Sequence, residues 1–157
     1  MATDDPRIRQ YAETRGIPVS GNPVSPSSMI PTIREALNTF PAEQYVILQP
    51  TSPIRKPGLL REILTIQAPC VFTAERIKMV GILDGEMLVQ YNRENSTSFF
   101  MHFDGSILTG TREMIEQETL FTPDAVAIEQ RAPYTLQIDH VNDLKLIRTL
   151  YEHSHSW

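Results

Sequence analysis

The chain has 157 residues, of which 41% are hydrophobic and 21% charged, and its formal net charge is −5. That length suits one domain, residues 1–157, with a core of its own, and the apolar runs fall well short of the roughly 20 residues that a bilayer-spanning helix needs. No cluster of Lys and Arg with interleaved aromatics marks a nucleic-acid binder, and no basic stretch precedes an apolar one as in a secretory signal, so the expected location is cytoplasmic.

Read in chain order, Asp4 or Asp5 can cap a helix that has Pro6 at its first position. Ile8, Tyr11 and Ala12 share one face of it, and Gly16 supplies a stop. Ile17 to Val19 reads as a short strand, and Gly21 to Ser28 as a loop. Ser27 or Ser28 then caps a helix with Ile30, Ile33, Leu37 and Phe40 as its apolar stripe; Pro31 is tolerated in the first turn. Tyr45 to Leu48 reads as a strand. Pro57-Gly58 opens a third helix with Leu59, Leu60, Ile63 and Leu64 facing the core.

Cys70 to Thr73 reads as the next strand. Cys70 is the only cysteine, which excludes an internal disulfide, and its apolar neighbours make it a buried strand residue. Met79 to Leu83 and Met87 to Tyr91 flank Asp84-Gly85, the signature of a tight hairpin whose turn needs positive φ. Phe99, Phe100, Met101 and Phe103 form an apolar cluster expected in the core, with a partner-facing patch as the second reading. Ile107-Leu108 begins a strand, and Thr111 caps a helix to Glu118. Ala125 to Ile128 and Thr135 to Ile138 read as short strands. Val141, Leu144, Ile147, Leu150 and Tyr151 line the last helix. Alternating strands and helices with an inserted hairpin predict a three-layer α/β domain.

Residues 46–55, Val-Ile-Leu-Gln-Pro-Thr-Ser-Pro-Ile-Arg, carry the most information. Pro50 and Pro53 forbid a continuing ladder and a helix alike. A buried strand therefore ends in a rigid polar loop holding Gln49, Thr51, Ser52 and Arg55, at the end of the strand where α/β sheets bind ligands.

LQPTSPIR resembles the LQPTSPLR motif of the acylneuraminate cytidylyltransferases, the CMP-sialic acid synthetases. Further blocks follow in the family's order. Thr3-Asp4-Asp5 with Ile8, Ala12 and Gly16 resembles STDDxxI…A…G, and Asp104-Gly105-Ser106-Ile107 resembles NGAIY. Leu136-Gln137-Ile138-Asp139 with Asp143-Leu144 resembles IDIDxxxDL. The resemblance runs from Thr3 to Glu152 and implies a Rossmann-like nucleotidyltransferase fold, a mixed sheet with an inserted hairpin that lacks the family's first βα unit. It also implies substrate-binding roles for Gln49, Thr51, Ser52, Arg55, Lys78 and Asp104.

Two departures bear on activity. The family's phosphate-binding loop for CTP has no counterpart in the sequence, and no Gly-rich phosphate motif occurs. The first Asp of IDID is Gln137, which leaves Asp139 as the carboxylate for the Mg²⁺ that an active member would use. Asp139 also stands where an N-cap for the last helix belongs. The four histidines show no metal-ligand spacing: His153 and His155 do not share a helical face.

Two functions follow as expectations. One is a diverged cytidylyltransferase-like protein, inactive alone, that binds a small acidic sugar or nucleotide or acts through oligomerisation. The other is an active CMP-sugar-acid synthetase, with CTP and a sialic or ketodeoxyoctonic acid as substrates, completed by another chain. An uncovered strand edge at Tyr45–Leu48 further predicts a homo-oligomer.

Overall fold

The computed structural model describes residues 1–20, 28–77, 82–83, 86–87 and 100–153. Helix α1 spans Pro6–Glu13, with the Asp5 carboxylate accepting from the backbone N–H of Arg7 and Ile8. The expected strand at Ile17–Val19 does not form. Residues 18–20 instead bond back to the amino terminus, the Ser20 N–H donating to the Met1 carbonyl at 2.9 Å. With an irregular partner, this segment has no ladder to join.

Helix α2 spans Ile30–Thr39 and buries Ile33 and Leu37; the Ser28 hydroxyl accepts from the Ile30 N–H at 3.2 Å. Strand β1 is Gln44–Leu48, and the short helix α3 is Leu59–Ile63. Strand β2 is Val71–Ile77, followed by β3 (Ile82–Leu83) and β4 (Glu86–Met87). Ile82 pairs with Met87 and Leu83 with Glu86, the register of the predicted hairpin, although its turn at residues 84–85 lies outside the described residues.

Strand β5 is Phe100–Thr111, much longer than the segment expected from Ile107. Helix α4 spans Arg112–Glu116, its Thr111 hydroxyl accepting from the Met114 N–H. Strand β6 is Val126–Gln130, and α5 is Val141–His153. Residues 135–138 form no strand; their one backbone tie to the strand-end loop is the Ile138 N–H donating to the Thr51 carbonyl at 2.8 Å.

The main sheet has the order β1-β5-β2-β6. β5 runs antiparallel to both neighbours, and β2 and β6 are parallel. Adjacent residues on a strand face opposite sides, and both sides are covered. On one, Leu59 and Ile63 of α3 pack on Val71 and Ile107. On the other, Ile33 and Leu37 of α2 and Ile115 of α4 pack over Tyr45 and Ile47. Cys70 is buried with Leu108 and Met114, as expected. Of the cluster expected around Phe103, the Phe103 ring itself is half-buried and makes edge contacts with Phe72 and Phe121 at 6.1 and 5.7 Å. Phe99 lies outside the described residues.

Strand β1 differs from the buried strand expected of its apolar run. It is an edge of the sheet, and Val46 and Leu48 are 38% and 45% exposed. Only its Tyr45 and Ile47 face has helices over it, so alternation along one strand splits the run into a packed and an open face.

Candidate functional site

The register that sets Leu48 against Ile107 brings the loop after β1 alongside residues 104–106. Because β5 is antiparallel to β1 and β2, and β6 is parallel to β2, the carboxyl ends of β1, β2 and β6 lie together here. This is the end of an α/β sheet at which ligands bind.

An irregularity in β5 shapes the site. Phe72 pairs with Leu108 and Ala74 with Phe103, so residues 104–107 have only Thr73 opposite them. The chain bulges, and a bulge re-aims side chains and needs its own hydrogen-bond partners. Thr73 and Asp104 provide these. The Ile107 N–H donates to the Thr73 hydroxyl at 2.9 Å, and the Ser106 N–H to Asp104 Oδ1 at 2.9 Å. The Thr73 hydroxyl donates to the same Oδ1 at 2.5 Å, and Gln130 Nε2 to Oδ2 at 2.8 Å. Asp104 is 2% exposed. Its carboxyl group is thus held by three donors inside the protein, the partners that a buried polar group needs. Expected as a substrate contact, its carboxylate instead holds the bulge together.

At the crest of the bulge Gly105 has φ +76°, a conformation that glycine adopts without a Cβ clash. A Cβ there would lie 2.8 Å from Gln49 Oε1 and 3.2 Å from both Gln137 Nε2 and Oε1. The two amides therefore converge over the bare glycine. Gln137 Nε2 donates to the Asp104 carbonyl, an acceptor that fixes the amide orientation and leaves Oε1 for other partners. Among the described residues, Gln49 Nε2 meets the Met29 sulfur alone, at 3.6 Å, a weak acceptor.

Arg55 fastens the loop. Its Nη2 donates to the Gln49 carbonyl at 2.5 Å and its Nε to the Ser106 carbonyl at 3.4 Å. Burial pushes its pKa down from the ordinary arginine value, and the carbonyl acceptors offset that desolvation. A guanidinium spent on two backbone carbonyls has fewer donors left for an anionic ligand. Ser52 is 1% exposed with its hydroxyl unpartnered, so it lies under the loop surface. Thr51 is half-buried and contributes its carbonyl to Ile138.

The structure thus gathers Gln49, Thr51, Ser52, Arg55 and Asp104 at one locus and adds Gln137. Lys78 lies outside the described residues, as does His155. Thr73 and Gln130 were missed by sequence reasoning. Nothing local marks them, since β2 also carries Glu75 and Arg76 and β6 Glu129; their polarity takes meaning only once Asp104 is opposite.

Asp139 is exposed and its side chain makes no hydrogen bond among the described residues. It is not the helix cap expected of it. The Asp143 carboxylate, inside the first turn, instead reaches back to accept from the N–H of Asp139 at 3.0 Å and of His140 at 2.7 Å. Mg²⁺ binds through carboxylates and retained waters. Here Asp104 and Asp143 are committed to protein donors, Asp139 stands alone, and the described residues contain no group of three or more His, Cys, Asp or Glu that could hold a metal ion. The open chemistry around Gly105 is that of the Gln49 and Gln137 amides.

No family model and no curated protein matches the chain. Among solved structures it is similar to a CMP:2-keto-3-deoxy-manno-octonic acid synthetase in complex with CTP. The TM-score is 0.67 and the identity 16%, over 96% of this chain and 79% of that one. Likeness at that identity speaks to architecture: the chain has the mixed-sheet α/β fold of a cytidylyltransferase, Rossmann-like in its layers.

Proposed function

We propose that this chain is a diverged relative of the acylneuraminate cytidylyltransferases that binds a small acidic sugar or a nucleotide and does not transfer CMP alone. The convergence of the Gln49 and Gln137 amides beside Gly105 carries the binding half of this reading. Their oxygens accept from the hydroxyls of a sugar or ribose, and Gln49 Nε2, held only by a thioether, can turn to donate to a ligand oxygen. The inactive half rests on the donor set. Phosphoryl transfer is stabilised by cations and metal aimed at the phosphate oxygens. Here Arg55 serves backbone carbonyls, and the carboxylates are committed or isolated.

A thermal-shift series with CMP, CTP and the sugar acids tests binding, since a ligand that prefers the folded state raises the melting temperature. The expected result is a rise that is independent of Mg²⁺ and lost in Gln137→Ala. No rise with any of them overturns the binding reading. Incubation with CTP, Mg²⁺ and sialic or ketodeoxyoctonic acid is expected to release no pyrophosphate. Release that disappears in Gln49→Ala and Asp139→Ala would instead establish the second reading, an active synthetase completed by another chain. The open edge of β1 favours that alternative, because it leaves the sheet able to accept more polypeptide.

A further inference from the structure

Further along β5 from the bulge, His102 stands opposite Glu75 of β2, and Glu75 stands opposite Gln130 of β6. Alternation places Glu75 on the face of β2 that carries Thr73, and so on the side of the sheet where Thr73 and Gln130 hold Asp104. His102, Glu75 and Gln130 thus form a polar row across three strands. Arg76 and Glu129 alternate to the opposite face and pair there, with Arg131 on the other oxygen of the same carboxylate at 3.5 Å.

One segment joins this row to the Gly105 site. The Thr135 hydroxyl donates to Glu75 Oε1 at 3.3 Å. Two residues on, Gln137 donates to the Asp104 carbonyl and its amide lies against Gly105. Residues 135–137 therefore run beside the sheet end from Glu75 to the bulge. Along β5, His102 and Gly105 are three positions apart, which at about 3.3 Å per residue is at most roughly 10 Å. A single nucleotide or sugar acid covers that span.

The two ends differ in chemistry. At Gly105 the Gln49 and Gln137 amides suit hydroxyls, and Arg55 serves backbone carbonyls. At the other end His102 is exposed, and its imidazole has no hydrogen bond or ion pair among the described residues. The acidic groups nearest to it are Glu75, half-buried across the ladder, and Asp104, enclosed by its own donors in the bulge. Ionised carboxylates only accept hydrogen bonds, whereas a protonated imidazole donates from both ring nitrogens. One nitrogen can meet Glu75 while the other meets an oxyanion.

We infer that His102 selects the acidic group of the ligand: the ligand's hydroxyls rest on the Gln49 and Gln137 amides, and its phosphate or carboxylate accepts from the His102 ring. This rests on the binding reading above and adds the residue that tells an acidic ligand from its neutral analogue.

Isothermal titration with matched pairs, CMP against cytidine and sialic acid against its methyl ester, at about pH 6 and about pH 8 tests it. The acid of at least one pair is expected to bind about tenfold more tightly than its neutral partner at the lower pH, the scale of one charge-assisted hydrogen bond. Most of that preference should be lost at the higher pH, where imidazole is neutral; the second ionisation of a phosphate, near about pH 6, acts in the opposite sense. His102→Asn is expected to bring the acid down to its neutral partner and leave the neutral partner unchanged. His102→Arg is expected to keep the preference at both pH values. The ring is exposed, so the melting temperature should hold in both variants. Should either misfold, the His102 ring-proton resonance of the unaltered chain gives the same reading, moving on addition of the acid and not of its neutral partner. Equal affinity for acid and neutral partner, or a preference that survives in His102→Asn, overturns the inference and leaves the binding reading standing. No binding of any of these ligands overturns both.

Discussion

The Thr73 hydroxyl donates to Asp104 Oδ1 at 2.5 Å across the bulge of β5, at a point where the β2–β5 ladder makes no regular pair. Gln130 closes the same carboxylate from β6. One buried acidic side chain thus joins three strands and sets the position of Gly105. Asp104→Ala leaves the Ser106 N–H and Gln130 Nε2 without acceptors and is expected to cost about 3 kcal/mol in urea unfolding. Asp104→Asn keeps one oxygen for Thr73 and Ser106, and Gln130 can flip to offer its unpartnered Oε1 to the new amide. Its cost is expected to stay below about 1 kcal/mol. Equal losses in the two variants would contradict this account of the carboxylate.

Gly105 separates stability from binding. Alanine there takes on left-handed strain of about 1–2 kcal/mol and pushes its Cβ against Gln49 Oε1. The melting temperature should fall modestly while ligand-induced stabilisation disappears. Gln137→Ala should remove the same ligand response with less effect on the free protein, because its amide binds the Asp104 carbonyl at a half-buried position. Retained ligand response in both variants would move the binding site elsewhere.

Tyr45 lies across Gly110, its cross-strand partner, and a Cβ at Gly110 would overlap the phenol. Gly110→Ala must displace the ring and is expected to cost about 1–3 kcal/mol. The Tyr45 hydroxyl is buried without a partner, so Tyr45→Phe is expected to be neutral or to stabilise by about 1 kcal/mol. Burial pushes the Tyr45 pKa up to about 12 from 10.0. The neutral phenol is favoured in the folded state, so this contribution is present below pH 10 and lost as pH rises toward 12. Phenolate absorbance during an alkaline titration should show one tyrosine ionising late, and that step should vanish in Tyr45→Phe.

Asp5 gives the opposite sign at the acid end. Its hydrogen bonds with Arg7, side chain first and then backbone, hold its pKa at about 2 against 3.8. The folded state favours the carboxylate, so the capping contribution is present above pH 3.8 and lost as pH falls toward 2. Acid unfolding followed by far-ultraviolet dichroism should show this step in the native chain. Asp5→Asn retains a cap and should flatten it; an unchanged acid profile in that variant would remove Asp5 from the transition.

Much of the local structure could be read from sequence. Asp5 and Thr111 cap the helices they were expected to cap, because a cap is set by a side chain and the N–H groups two or three residues on. The hairpin register followed from Asp84-Gly85 for the same local reason. The short segments Ile17–Val19 and Thr135–Ile138 misled, since three or four β-prone residues form a strand only if a partner lies alongside. At the candidate site, LQPTSPIR marked the loop and Asp104 the bulge that the structure brings together. The roles of Arg55 and Asp104 were not legible, because they depend on which carbonyls and donors the sheet brings near them.

The sequence by itself determined most of the element order, the caps of α1 and α4 and the loop after β1, all of which are settled by interactions within a few residues. Tertiary structure alone decided that β1 has one packed and one open face, that β5 reaches back to Phe100, and that the Gln49 and Gln137 amides converge over Gly105. Each of these depends on pairing between residues far apart in the chain, and local periodicity carries no record of which strand will lie opposite.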